Sequence, residues 1–101
     1  MAEPTEITEP TKLVDYESFV IAEFKKDFEL CREMVIDSIE EKDMTFVLLN
    51  LGRIIKARGY DDFKSVNLSE TQIDNAIKSK ENYDRAVINK MIGALGINER
   101  I

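Results

Sequence analysis

Leu51–Ile77, LGRIIKARGYDDFKSVNLSETQIDNAI, decides how this chain is read. Its first part is apolar at helical spacing and stops at Gly59, a residue free to take the positive φ that ends a helix. Tyr60–Val66 follows and is short, with Phe63 and Val66 one helical turn apart. Asn67 tolerates a left-handed turn. Ser69 and Gln72 then make an S-x-x-Q capping box, the mark of a helix start. Ile73, Ala76 and Ile77 turn one side of that helix inward. Helix, stop, short helix, tight turn and capped helix form the outline of a helix-turn-helix, the device that sets one helix into the DNA major groove.

Working outward, Met44–Arg58 reads as the helix before the motif, capped by Asp43. Phe46, Val47, Leu49, Leu51, Ile54 and Ile55 make it apolar over a wide face, so a central place in the core is expected. Lys56 and Arg58 in its last turn suit the helix dipole. Asp27–Glu41 is a further helix, with Asp27 as N-cap. Cys31, Val35 and Ile39 recur there at every fourth residue, and Phe28 and Met34 broaden the stripe. Lys42 and Asp43 form the break between the two. Downstream, Asn82 and Asp84 are the candidate caps of a last helix that runs to Leu95 and ends at Gly96. Val87, Ile88, Met91, Ile92 and Leu95 are its buried stripe. Asp15–Phe24 fits a strand or a helix, since short apolar runs are not assigned by pattern alone. Residues 1–13, MAEPTEITEPTKL, hold both prolines and three glutamates and read as a disordered acidic tail. Residues 14–101 are then expected to form one all-α domain of about five helices, a small helix-turn-helix fold.

The totals bound the function. With 101 residues, 44% of them hydrophobic, the chain can bury one small core. No apolar run has the length of a membrane span and no signal peptide opens the chain, so a cytoplasmic protein without a membrane partner is expected. The single cysteine, Cys31, excludes an internal disulfide framework and fits a reducing compartment. It lies on an apolar stripe between Glu29 and Glu33, the setting of a core thiol rather than a reactive one. Without histidine no metal site is expected, and no cofactor motif is present. Glu40-Glu41 and Asp61-Asp62 are adjacent carboxylate pairs, which suit a surface better than an active site, so no enzyme is expected.

Charge is unevenly placed. The net charge of −6 argues against a general nucleic-acid binder. Residues 1–43 carry 13 acidic and 5 basic side chains, a balance of −8. Residues 44–101 carry 7 acidic and 9 basic, a balance of +2. Two surfaces with different partners, or an acidic face that simply meets water, both fit that asymmetry.

Several pieces occur in a recognisable order. Glu40-Glu41-Lys42-Asp43 is followed by Leu51-Gly52-Arg53 with Lys56-Ala57-Arg58-Gly59. Leu68-Ser69-Glu70 with Asn75-Ala76-Ile77 comes next, and Ala94-Leu95-Gly96-Ile97 closes the series. Over about residues 27–98 the chain resembles a family of short bacterial proteins, the probable addiction-module antidote proteins. The resemblance implies a Cro/repressor-like helix-turn-helix fold, a homodimer, and binding to a double-stranded DNA operator. It also implies pairing with a basic toxin of the RelE/ParE kind. Eight residues separate Gly59 from Leu68, one fewer than the family pattern, and the usual small alanine and turn glycine are missing from YDDFKSVN.

On this reading, Thr71, Gln72 and Asn75 lie on the outward side of the Ser69 helix, where side chains reach base edges. Gln72 and Asn75 can each bond adenine through both amide atoms, although the capping box competes for Gln72. Ser69 can donate to a phosphate, and Lys64, Lys78, Lys80 and Arg85 flank the motif as candidate phosphate contacts. Asp61 and Asp62 would repel a phosphate backbone, and Glu70 and Asp74 weaken the electrostatic case on the recognition helix itself. Arg53 reads as a structural cation paired with an acid of the first helix. The alternative function is a protein-interaction module on the same fold that has lost DNA binding and acts only through a protein partner.

Overall fold

A helix needs its first N–H groups satisfied, and three aspartates and one serine do this here. In a computed structural model that describes the backbone of residues 9–101 and the side chains from Tyr16 onward, Asp27, Asp43 and Asp84 each accept from the backbone N–H three residues on. Of the two candidate caps of the last helix, Asp84 is the one used. The described residues form five α-helices and one 3₁₀ helix, with no strand among them. The helices are α1 (Glu9–Lys26), α2 (Phe28–Glu40), α3 (Met44–Arg58), α4 (Glu70–Ala76) and α5 (Arg85–Ala94). The 3₁₀ helix, Asp61–Val66, lies between α3 and α4. The protein is therefore all-α.

Asp15–Phe24, open between strand and helix in the sequence, is helical and belongs to α1. That helix starts inside the segment read as a disordered tail, so residues 9–13 are corrected to helix. Pro10 is no obstacle, because the first N–H groups of a helix have no intrahelical acceptor. The remainder of the tail, residues 1–8, lies outside the described residues.

α3 is the centre. α1 and α2 pack against it, while α5 packs under the 3₁₀ helix and α4. Glu17 meets Arg53 and the Phe24–Lys25 carbonyls meet Arg58, so α1 and α3 ascend in the same direction. Phe24, Leu51, Ile54, Phe63, Ile88 and Met91 are fully buried, and each apolar side chain of this size removed from water stabilises by about 1.5–3 kcal/mol. Cys31 is buried too, its S–H donating to the Phe24 carbonyl at 3.4 Å. Burial pushes its thiol up to about 11, so it stays protonated and is a core group, as its place on the stripe implies.

The face assigned to α3 needs a correction. Val47, Leu51 and Ile54 point inward, but Phe46 and Leu49 remain 48% and 39% exposed. Asn50 enters the core instead. Its Nδ2 donates to Ser38 Oγ at 2.7 Å and to the Met34 carbonyl at 3.2 Å, while its buried Oδ1 has no donor among the described residues. Asn50 lies three and four residues from Val47 and Ile54, on the same helical face, which is the signal that could have placed it.

Two turns depend on special backbone. Asn67 sits in the left-handed region at φ 62, as its residue type suggests. Gly59 has the expected positive φ of 76, but its ψ of −158 lies outside the left-handed helical well, in a region that essentially only glycine enters. The chain thus leaves α3 by a sharper departure than an ordinary left-handed cap.

Candidate nucleic-acid interface

α4 is built by its own first turn. Ser69 Oγ accepts from the Gln72 N–H at 3.1 Å, and Gln72 Oε1 accepts from the Ser69 N–H at 3.0 Å. The capping box read from the sequence is therefore complete. Ile73 and Ala76 anchor the helix in the core, and the 3.6-residue repeat then leaves Thr71, Gln72, Asp74 and Asn75 exposed. Gln72 is exposed, but its amide oxygen is already engaged within the helix. A two-atom contact to adenine by Gln72 would have to share or open the capping box, whereas the Asn75 amide has no such commitment among the described residues.

Gln72, Asn75 and Lys78 line one open cleft of about 640 Å³, with Asn82, Tyr83 and Asp84 on its far wall. Thr71 and Ser69 stand on the same helix outside that cleft. Lys80 is exposed in the turn beyond α4 and does not line it. Lys64 belongs to the 3₁₀ helix and pairs with Asp61 at 3.1 Å. Both of these side chains are more than three-quarters exposed, so the pair contributes little and opens readily.

The acids suspected of repelling a phosphate backbone have other occupations. Asp62 accepts from Arg58 Nε at 2.7 Å. The same guanidinium donates through Nη1 to the carbonyls of Lys25 and Phe24 at 3.2 and 3.4 Å, and it stacks over the Phe28 ring at 4.9 Å. Its bond to Asp62 holds the Arg58 pKa above the ordinary value. Asp62 is thus an anchor for the 3₁₀ helix. Asp74 Oδ1 accepts from the Tyr60 hydroxyl at 2.8 Å, which raises the Tyr60 pKa and ties α4 to the turn after α3. Glu70 lies on the exposed face.

Arg53 is a structural cation, but its acid does not come from the Asp27–Glu41 helix, the first helix of the sequence reading. Its partner is Glu17 of α1, bonded through Arg53 Nε and Nη2 with a shortest distance of 2.6 Å. The hydrogen bond to Arg53 lowers the Glu17 pKa. This pair favours the folded chain above the unfolded carboxyl pKa of about 4.5, and the benefit fades as pH falls through the lower folded value.

A second surface was missed in the sequence. Among the described residues the large apolar side chains left exposed are Tyr16, Phe19, Phe46 and Leu49, all on α1 and α3. The apolar pattern of α3 places Phe46 and Leu49 in the core, and the short apolar run Asp15–Phe24 fits a strand or a helix, so neither signals an exposed face. Comparison with known protein families, with curated proteins and with solved structures gives no match. No helix among the described residues is long and apolar enough to cross a membrane.

Proposed function

We propose that this chain is a small helix-turn-helix regulator of the antitoxin type. It acts as a homodimer in the cytoplasm, presents α4 to a double-stranded DNA operator, and engages a basic RelE/ParE-type toxin through its acidic N-terminal half. The observation that carries the DNA part is the free face of α4. Its inward residues Ile73 and Ala76 are buried, while Thr71 and Asn75 are exposed and Lys78 lies one turn beyond. The orderly placement of Gly59, Asn67 and the Ser69 capping box around the 3₁₀ helix supports the motif reading.

Fluorescence anisotropy against the DNA upstream of the chain's own reading frame, at two salt concentrations, tests it. The expected result is specific binding at about 10⁻⁸ M or tighter at physiological salt, falling steeply as salt rises. Asn75→Ala with Thr71→Ala removes site preference. Lys78→Ala weakens binding to all sequences alike and reduces the salt slope by about 1. Absence of salt-sensitive specific binding at micromolar protein overturns the DNA part.

The second reading, an interaction module without DNA binding, is favoured by a different observation. Tyr16 and Phe19 are 58% and 60% exposed on α1, a helix remote in sequence from α4, while α4 itself carries Glu70 and Asp74. Exposed aromatic side chains of this size are typical anchors for a protein partner. Copurification with a small basic protein from the adjacent reading frame, lost in Phe19→Ser and kept in Asn75→Ala, supports that surface. Retention in Phe19→Ser counts against it.

A further inference from the structure

A groove of about 360 Å³ opens where the α2–α3 turn meets the start of α5 and the last residues of the chain. Its walls are mainly apolar, from Ile39, Met44, Val47, Tyr83 and Ile101. Three cations stand around them, Lys42, Arg85 and Arg100, against a single side-chain carboxylate, Asp43. Asp43 is already committed, because its Oδ1 caps α3 through the Phe46 N–H. Arg100 is partly committed too, its Nη1 donating to the carbonyls of Ile97, Asn98 and Glu99.

Lys42 and Arg85 are placed against their local preferences. Lys42 has φ 57, a left-handed position that closes α2 through its N–H to the Ile39 carbonyl. Glycine takes such a position without steric conflict, and a lysine there is strained. Arg85 is the first residue of α5, where the helix dipole favours an acid; the acid at this end is the N-cap Asp84, whose carboxylate accepts from the Val87 N–H, and the first turn itself contains none. Among the described residues neither cation has a carboxylate within 4.0 Å. Two residues that violate local rules, with no partner in return, therefore converge on one apolar groove. Such conflicts are expected where a site is built at the expense of local stability.

We propose that this groove binds a small amphipathic acid, a monocarboxylate whose apolar tail lies on Ile39, Met44 and Val47 and whose head meets Lys42 and Arg85. The volume falls at the small end of the range for ligand pockets, about 300–1,000 Å³, which fits a tail of medium length. The site lies outside the exposed face of α4 and does not depend on DNA binding. Tyr83 alone belongs to both clefts, forming a wall of each.

The test is an amide-resolved NMR titration of the full chain with octanoate and, separately, with 1-octanol, which has the same tail length and no charge. Octanoate binds about tenfold tighter than 1-octanol, the worth of one charge-assisted hydrogen bond, and shifts the amides of Lys42–Val47 and Arg85. Lys42→Gln with Arg85→Gln brings octanoate down to the affinity of 1-octanol. Lys42→Gly raises the melting temperature by relieving the backbone and weakens octanoate binding, a pairing that a merely structural lysine would not give. Equal affinity for acid and alcohol overturns the proposal. So do shifts centred on Tyr16 and Phe19, preference retained in the double variant, or no binding by either probe at millimolar concentration.

Discussion

The 3₁₀ helix Asp61–Val66 and helix α4 are neighbours of nearly equal length, six and seven residues, yet they are held in opposite ways. α4 carries its own start signal, since Ser69 and Gln72 satisfy each other's backbone N–H groups within one turn. The 3₁₀ helix has no side-chain cap. Its geometry comes from outside, through Arg58 reaching back from α3 to Asp62 and through Phe63, which is fully buried. Isolated helices this short are unstable in water. Each therefore needs support, and the pair shows that support can be written locally or borrowed from the tertiary structure.

Substitutions can break or sharpen that contrast, and the largest effect is expected in the borrowed element. Phe63→Ala leaves a cavity among the fully buried residues and costs about 3–5 kcal/mol in urea denaturation. Arg58→Met removes the Asp62 bond, two carbonyl bonds and the contact with Phe28 while keeping much of the stem. It costs about 2–3 kcal/mol in the same assay, discounted for the partial exposure of the pair. Ser69→Ala opens the capping box and costs about 1 kcal/mol, with lost far-UV helicity confined to one short helix. Asn67→Gly, at the left-handed residue between the two elements, changes stability by roughly 0.5 kcal/mol or less, whereas Asn67→Val costs about 1–2 kcal/mol. A cost for Ser69→Ala that exceeded that of Arg58→Met would invert the contrast.

The same contrast explains how much of the molecule was legible beforehand. Asp27, Asp43, Ser69 and Asp84 are caps because each bonds a neighbour three residues away, and a sequence displays such neighbours directly. Gly96 and Asn67 are legible for the same reason, since their backbone demands are local. α1 was not legible. Its apolar residues Phe19, Val20 and Ile21 are consecutive, and only packing against α3 selects which of them is buried. The apolar pattern of α3 points Phe46 and Leu49 inward, but hydrophobicity alone does not fix the rotation of the helix, which puts Asn50 beside Ser38 instead. At the candidate interface, the exposure of Thr71, Gln72 and Asn75 follows from the helical period. The occupation of Asp62 does not, because it depends on Gly59 turning the chain so that a residue four positions on returns to Arg58.

Arg58 also links parts of the chain that are distant in sequence. One guanidinium touches the closing carbonyls of α1, the first ring of α2 and the carboxylate that fixes the 3₁₀ helix. Releasing any one of these three leaves the Arg58 guanidinium with one acceptor or contact fewer. In hydrogen exchange, the amides of Asp61–Val66 and those at the end of α1 are therefore expected to lose protection together in Arg58→Met, although more than thirty residues of chain lie between them. α4, capped by its own residues and clasped to the turn after α3 by Tyr60 and Asp74, is free to fray at its far end without disturbing these contacts.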